Sequence, residues 1–227
     1  MKLIPAKTPG FVKSLFPNFI WNIDTQKQEL YLTFDDGPTP EITSWVLEQL
    51  KQYNAKATFF CIGHNIEKYP EIFEKIINEG HSIGNHTHNH LKGWKHKTKD
   101  YLVDVEKAQK IIDLSKSQRE AECHTELVEV SKTNHKLFRP PYGKFKTKQA
   151  KQLQKLGYKT VMWDVLSFDW SIKVSKDQCF DNIVNSAKEG SIIVMHDSLK
   201  AEQNLRYTLP RILKYYNEIG FEFKSLS

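Results

Sequence analysis

The stretch AKEGSIIVMH, residues 187–196, joins a polar, helix-like segment to an apolar run that ends on a histidine. Gly190 stands at the junction, and glycine is favoured just past a helix end because it adopts the left-handed conformation without a Cβ penalty. The same order of helix-like segment, glycine and strand-like run recurs at Gly80, Gly157 and Gly220. This repeat predicts βα units and a mostly parallel sheet.

The remaining apolar segments fit the same alternation of helices and strands. A helix that ends near Tyr53 is predicted to begin at Thr39, Pro40 and Glu41. These residues have the order of an N-cap, a first helical proline and an early acidic residue. Further strands are predicted over 29–34 and 56–62, and further helices over 66–78 and 99–114. The pattern as a whole predicts a single-domain α/β fold.

Two segments depart from this alternation. Residues 1–24 are interrupted by prolines and are predicted to form an N-terminal arm on the outside of a main domain that spans 25–227. Residues 115–135 are polar and charged, without a clear period, and stand between a good helix and a short strand. Loops of such length are unusual inside a compact domain. We therefore predict that 115–135 is a surface insertion.

The composition is that of an ordinary globular enzyme. Of the 227 residues 39% are hydrophobic, and no run of about 18 apolar residues is present that could span a membrane. The net charge of +6 includes lysines concentrated in 92–99 and 143–159, but a basic platform with interleaved aromatics for nucleic acid is lacking. The N-terminus has no signal-peptide pattern. This predicts a cytoplasmic protein if the chain is complete, and a cell-envelope or secreted one if an export signal is missing; no feature indicates an oligomeric state.

Five short motifs carry residues suited to catalysis, and each falls at or just after a predicted strand end. In barrels and open α/β sheets, active sites are assembled from loops at the carboxyl ends of the strands. Scattered core histidines or turn aspartates would not be expected to share that placement. The motifs are TFDDG (33–37), HTHNH (86–90), RPPYG (139–143), SFDW (167–170) and IVMH (193–196).

The motif HTHNH indicates a metal site. Its outer histidines, His86 and His90, are four residues apart, so a helical turn would place them on one face within reach of one cation. Two imidazoles and one carboxylate, with open positions for water, form the ligand set of a hydrolytic Zn²⁺ site, and Co²⁺ or Ni²⁺ accept the same ligands. Asp35 and Asp36 supply that carboxylate and leave one to spare. His88 would face the other side of the turn, where we predict a packing role.

Taken together, the five motifs resemble the polysaccharide deacetylase family, the NodB-homology domain of carbohydrate esterase family four. The resemblance covers roughly residues 28–223 and keeps the family's motif order. It implies a distorted (β/α) barrel and the metal-dependent removal of acetyl groups from sugars of the N-acetylglucosamine type. The implied partner is therefore an acetylated glycan or oligosaccharide.

The resemblance also implies roles for individual residues on the metal side of the site. Asp36, His86 and His90 would hold one divalent ion, with zinc as the first expectation. Asp35 would be the general base that takes a proton from the attacking water. Arg139 would pair with Asp35 and keep it ionised and oriented.

On the other side of the site, the resemblance implies an acid and a substrate pocket. His196 would be the general acid that protonates the leaving amine, and Asp169 would hold it charged and correctly turned. The backbone N–H of Tyr142 would point at the developing oxyanion. Trp170 and Val194 would line the pocket for the acetyl methyl group.

Several alternatives stay open at this stage. Asp164 could support His196 in place of Asp169. The same metal, base and oxyanion donors would serve an O-acetyl esterase acting on acetylated polysaccharide, although an amine leaving group needs the acid more than an alkoxide does. A carbohydrate-binding barrel without catalysis, or a barrel without a metal, would have no need for both a base and an acid.

Overall fold

Parallel strands form one curled sheet in the order β5-β4-β3-β2-β1-β7-β6, and β8 pairs with β1. The computed structural model describes residues 5–122 and 136–227. The strands are β1 Glu29–Asp35, β2 Ala57–Cys61, β3 Ser82–Asn85, β4 Lys136–Phe138, β5 Tyr158–Thr160, β6 Val165–Leu166, β7 Ile192–His196 and β8 Glu222–Phe223. The predicted α/β fold with a distorted barrel is confirmed.

Helices cover the outside of this sheet. They are α1 Gly10–Leu15, α2 Ile42–Gln52, α3 Gly63–Lys68, α4 Pro70–Asn78, α5 Thr98–Glu122, α6 Thr147–Lys155, α7 Lys176–Val184 and α8 Glu202–Glu218. In the described part of the chain, none of these helices is both long and apolar enough to cross a membrane.

The alternation of side chains along β1 separates the core from the site. Leu30, Leu32 and Phe34 are buried in the main apolar cluster, which also contains residues of α2, α4 and α8. Successive side chains of a strand point to opposite faces of the sheet. Thr33 and Asp35 therefore point to the inner face of the barrel, and both are buried there. The central strand thus anchors the helical layer with one face and presents polar groups with the other.

The N-terminal residues predicted as an arm cross the gap between β5 and β6, the two strands at the ends of the sheet. Ile20 forms a parallel bridge with Val161, and Lys7 forms an antiparallel bridge with Val165. The Ile20 N–H donates to Thr160 O at 2.9 Å. The arm therefore supplies backbone hydrogen bonds where the sheet itself does not close.

The four glycines found between helix-like and strand-like segments mark the starts of strands more reliably than the ends of helices. Gly80, Gly157, Gly190 and Gly220 all have positive φ and precede β3, β5, β7 and β8. However, α7 ends at Val184, and Gly190 lies in a separate turn where an added Cβ would lie 1.9 Å from Ile23 O.

Three predicted helix boundaries are wrong. The helix predicted over 66–78 is two helices, α3 and α4, because Tyr69 has a non-helical backbone (φ −134°, ψ 58°) and Pro70 begins a new helix. The Thr39 cap is not formed: α2 begins at Ile42, and the Thr39 N–H donates to Thr43 Oγ1 at 2.7 Å.

The third boundary concerns the predicted surface insertion. Helix α5 continues to Glu122, beyond the predicted end at residue 114 and into the range predicted as an insertion. The rest of that range, 123–135, lies outside the described residues. A surface insertion therefore stays a prediction for 123–135.

Candidate active site

The candidate base and acid stand opposite each other on adjacent strands. In the pairing of β1 with β7, Asp35 is in register with His196, and Thr33 is in register with Val194. Both Asp35 and His196 are the last residues of their strands. The carboxyl ends of these two adjacent strands therefore place the two groups side by side at one end of the barrel.

The three predicted metal ligands converge, but a loop rather than a helical turn brings them together. Asp36 Oδ1 lies 3.2 Å from His90 Nε2 and 3.6 Å from His86 Nε2. Residues 86–90 follow β3 without helical structure, because Thr87 and His90 both have positive φ. The Asn85 carboxamide oxygen accepts from the Thr87 N–H at 2.8 Å and supports this conformation. The prediction of a helical turn was wrong, whereas the prediction that His86 and His90 approach each other was right.

These three residues fit a divalent ion. With bonds of about 2.1 Å, ligand atoms around tetrahedral zinc lie about 3.4 Å apart, and the two nitrogen–oxygen distances at Asp36 bracket that value. Among the described residues, the buried Asp36 Oδ1 has no hydrogen-bond donor. The His86 Nδ1–H donates to Arg139 O at 2.8 Å, which leaves the Nε2 lone pair free for a metal.

The protonation states of these ligands suit metal binding. Burial lowers the pKa of His86 to about 4, against the attraction of the Asp35 carboxylate. Burial favours the neutral acid at Asp36, but the contact with His90 and the charges of His196 and His86 outweigh it and hold the pKa of Asp36 below its ordinary value. The site therefore offers a neutral imidazole and a carboxylate at neutral pH.

Arg139 fixes Asp35 inside the barrel, as predicted. Its Nη1 donates to Asp35 Oδ1 and to Thr33 Oγ1, both at 2.7 Å. Its Nη2 and Nε donate to the carbonyl oxygens of Met162 and Val161 at 2.8 and 3.3 Å. The guanidinium is fully buried, and burial lowers its pKa while Asp35 opposes that shift. Arg139 thus holds the carboxylate in one position.

Asp169 supports His196, also as predicted. Asp169 Oδ1 lies 2.9 Å from His196 Nδ1, and Oδ2 accepts from the His196 backbone N–H at 2.7 Å. Burial disfavours the imidazolium, but the charge and hydrogen bond of Asp169, with Asp36 and Asp35, raise the pKa of His196 to about 9. Because Nδ1 is engaged, Nε2 is the ring nitrogen left to face a substrate.

Asp164, the alternative support for His196, serves another purpose. It accepts from Lys13 Nζ at 2.6 Å and from Ser191 Oγ at 2.6 Å, and so ties the N-terminal arm to the start of β7. That alternative was wrong.

The predicted substrate-contacting residues border the metal ligands and the acid. The ring centres of Tyr142 and His90 are 4.8 Å apart, and those of Trp170 and His196 are 4.7 Å apart. Tyr142 is 55% exposed and available to a ligand, whereas Val194 is buried on the same face of β7 as His196. One aromatic ring therefore lies beside a predicted metal ligand and the other beside the candidate acid.

Lysines from both predicted basic runs lie near Tyr142. Lys92 Nζ is 5.1 Å from the centre of the Tyr142 ring, and Lys144 Nζ is 5.4 Å from that of Trp94. Trp94 in turn contacts Tyr142, with ring centres 5.6 Å apart. The basic runs thus contribute positive charge beside the metal ligands.

Sequence reasoning missed Asp197, which supports the loop that carries Asp36. Its carboxylate accepts from the Gly37 N–H at 3.1 Å and from Thr43 Oγ1 at 2.6 Å. Burial, together with the charges of Asp36 and Asp35, raises the pKa of Asp197 to about 8, against the hydrogen bond from Thr43. Asp197 directly follows His196, the last residue of the motif IVMH, and this position was a signal that could have identified it.

The curled parallel sheet carries a carboxylate held by Arg139, an imidazole held by Asp169 and a three-ligand set at its carboxyl end, which are groups that a hydrolytic metal site uses. The sequence profile described as polysaccharide deacetylase matches residues 22–161, and the chain belongs to that family. The predicted family resemblance is confirmed.

Individual relatives are similar over most of the chain. A peptidoglycan-N-acetylglucosamine deacetylase of Bacillus cereus is 37% identical over 172 residues, which cover 76% of this chain but 57% of that protein. A second one from the same organism is 31% identical over 209 residues, 91% of this chain and 90% of its own length. The crystal structure of a peptidoglycan N-acetylglucosamine deacetylase superposes with a TM-score of 0.81 at 32% identity, and covers 96% of this chain and 95% of that one.

Proposed function

We propose that this chain hydrolyses the acetamido group of N-acetylated amino sugars within a glycan, with N-acetylglucosamine units of peptidoglycan as the first candidate substrate. The observation that carries the proposal is the register of Asp35 with His196, beside the ligand set of Asp36, His86 and His90. The two similar Bacillus cereus proteins are named for that substrate, which supports the choice. The reaction class agrees with family membership.

The base side of the site would generate the nucleophile. A divalent ion held by Asp36, His86 and His90 would polarise the acetyl carbonyl and make water more acidic. Asp35 takes a proton from the attacking water, and the fixed Arg139 keeps the carboxylate aimed at it. As the water oxygen bonds to the carbonyl carbon, negative charge develops on the carbonyl oxygen. The backbone N–H of Tyr142 is the proposed donor to that oxygen.

The acid side would complete the reaction. As the carbon–nitrogen bond breaks, His196 Nε2 donates its proton to the departing nitrogen, and the products are acetate and a free amino sugar. Asp169 keeps the imidazolium charged and its ring oriented. Trp170 contacts the His196 ring and would form an apolar wall for the acetyl methyl group.

The state of His196 favours amide over ester substrates. An alkoxide leaves an ester more readily than an amine anion leaves an amide, so a histidine kept protonated near neutral pH gives its larger benefit with amides. O-acetyl esterase activity on acetylated polysaccharide is therefore the second candidate function. A barrel that only binds carbohydrate would not need Asp35 and His196 at all.

The proposal is tested by measuring acetate release from three substrates: N-acetylglucosamine oligomers, purified peptidoglycan and acetylated xylan. The protein is stripped with a chelator and assayed before and after restoring Zn²⁺, Co²⁺ or Ni²⁺. We expect metal-restored turnover on the amide substrates, with free amine appearing in equal amount to acetate. Turnover on acetylated xylan alone would instead establish the esterase. Absence of acetate release from all three substrates at every metal tested would overturn the proposed chemistry.

A further inference from the structure

A second group of metal-ligating side chains lies behind the loop that carries His86 and His90. His64, Glu67 and His88 each offer one ligand atom, and these atoms all lie within 4.8 Å of one another. His64 and Glu67 stand three residues apart on α3, and therefore on one face of that helix. None of the three belongs to the candidate active site.

The backbone holds this group in place. The His64 N–H donates to His88 O at 3.0 Å, and the Gly63 N–H donates to Thr87 O at 3.0 Å. Asp104 of α5 accepts from the His88 N–H at 2.9 Å. A Cβ on Gly63 would lie 2.7 Å from His88 Nδ1, so α3 and the loop are packed against each other. The buried His88 is thus fixed, whereas the exposed side chains of His64 and Glu67 are free to adjust.

A positive charge already lies beside two of these ligands. Lys107 Nζ lies 2.8 Å from His88 Nε2 and 3.8 Å from Glu67 Oε1. An ammonium group can only donate hydrogen bonds, so the lone pair of His88 Nε2 points at this cation. The Lys107 side chain is 55% exposed and has a flexible stem, so it can move into solvent.

We propose that His64, Glu67 and His88 form a second site for a divalent transition metal, and that Lys107 occupies it when the metal is absent. Two imidazoles and one carboxylate suit Zn²⁺, with Co²⁺ and Ni²⁺ as alternatives, and the exposed side leaves a position for water. This site is separate from the proposed chemistry and does not depend on it.

The second site should bind more weakly than the first. A metal-bound histidine usually donates its other ring N–H to an acceptor, and loss of such a partner costs ~10–100-fold in affinity. His86 Nδ1 has the carbonyl of Arg139 as that acceptor. Among the described residues, His88 Nδ1 has none. Displacement of the Lys107 ammonium weakens binding further.

The test is calorimetric titration of the chelator-stripped full chain with Zn²⁺. We expect two ions per chain, the second at least ~10-fold weaker than the first. His64→Ala and Glu67→Gln should remove the weak event and leave the tight one. His90→Ala should remove the tight binding event and leave the weak one. Lys107→Ala should tighten the weak event by ~3-fold, because it removes a partly exposed positive charge. His96→Ala, which removes a histidine outside both sites, should leave two ions bound.

Two results would overturn the proposal. One is a single bound ion, in both the wild-type chain and the Lys107→Ala variant, that is retained in His64→Ala and Glu67→Gln. The other is a second bound ion that persists in both His64→Ala and Glu67→Gln. Because the readout is stoichiometry rather than deacetylation, loss of catalytic activity alone would not count for or against the second site.

Discussion

Arg139 and Asp35 form an ion pair closed to solvent, whereas His196 and Asp169 form one that is open on a single side. The Arg139 side chain is fully buried and donates to four acceptors, two of them backbone carbonyls. In the second pair Asp169 is fully buried, while 15% of the His196 side chain is exposed. In the proposed mechanism, the closed pair contains the constant charge of Arg139, and the open pair contains the proton that His196 donates.

The pKa shifts follow the same division. Burial dominates at Arg139 and lowers its pKa, but the ordinary value for a guanidinium is so high that the charge persists near neutral pH. At His196 the carboxylate outweighs burial and raises the pKa to about 9. Arg139 therefore keeps its charge over the working pH range, whereas in the proposed mechanism His196 passes a proton to the substrate.

Breaking the closed pair should have the largest effect. Arg139→Met leaves the Asp35 carboxylate buried without its partner, which should lower the free energy of unfolding by about 3–5 kcal/mol. Urea denaturation followed by circular dichroism measures this change. The exposed Arg211→Met is the matched control and should shift it by less than about 0.5 kcal/mol. Equal losses of unfolding free energy in the two variants would mean that the buried Arg139–Asp35 pair stabilises the fold no more than an exposed arginine does.

Removing the negative charge of Asp35, while keeping the shape of its side chain, should lower turnover more than it lowers stability. Asp35→Asn retains a hydrogen-bond acceptor for Arg139 but cannot act as a base, so turnover should fall at least ~100-fold. Zinc content, measured by elemental analysis, should stay unchanged because Asp36 is the proposed carboxylate ligand. The exposed Asp24→Asn serves as control. Near-normal turnover in Asp35→Asn would assign the base to another residue.

Breaking the open pair should change the pH response. The imidazolium of His196 is present below its pKa of about 9 and is lost as the pH rises through that value. Asp169→Asn removes the main raising influence, so the alkaline limit of the rate should move down towards the ordinary histidine value of ~6.5. At pH 8 this corresponds to a loss of roughly 30-fold on amide substrates. Activated esters, whose leaving groups need no proton, should lose less.

Asp164→Asn provides the control for the open pair. This buried aspartate contacts Lys13 and Ser191 rather than His196, so its loss should lower stability and leave the alkaline limit where it is. If the limit moves equally in both variants, Asp169 does not set the protonation of His196.

The smallest effect is expected from the segment before β4, the strand that leads to Arg139. Replacing residues 123–135 with a short linker of glycine and serine changes the entropy of loop closure by less than about 1 kcal/mol. Thermal unfolding should therefore shift little, and the pH limit of the rate should be unchanged. A shortened chain that no longer folds would show that this segment is no surface insertion and that the closed pair depends on it.

Both pairs were implied by the family resemblance, although Asp164 stayed open as an alternative partner of His196. Strand placement agrees with the pairs, because parallel strands bring their carboxyl ends together. The shape of the metal loop was not predictable from the local spacing of His86 and His90. Its positive φ values are supported by Asn85 and, from α5, by Asp104, which accepts from the His88 and Asn89 backbone N–H groups.

The error at the start of α2 has the same origin. The Thr39 and Pro40 pattern was read as a local cap, but Asp197 binds Thr43 and Gly37 from far along the chain and fixes the approach to α2. Asp164 likewise could not be separated from Asp169 by sequence, because its partner Lys13 lies 151 residues away. Long-range hydrogen bonds, rather than local preferences, decided each of these cases.

The crossing of the N-terminal arm over the gap between β5 and β6 has a consequence for how the chain is made. Lys7 and Ile20 leave the ribosome long before their bridge partners Val165 and Val161. At translation rates of ~5–20 residues per second, that interval is roughly 7–30 seconds. Until then the nascent chain carries an N-terminal segment without its sheet partners, and contacts so distant in sequence slow folding. The arm can therefore bridge the two ends of the sheet only after residues 161–165 have been made.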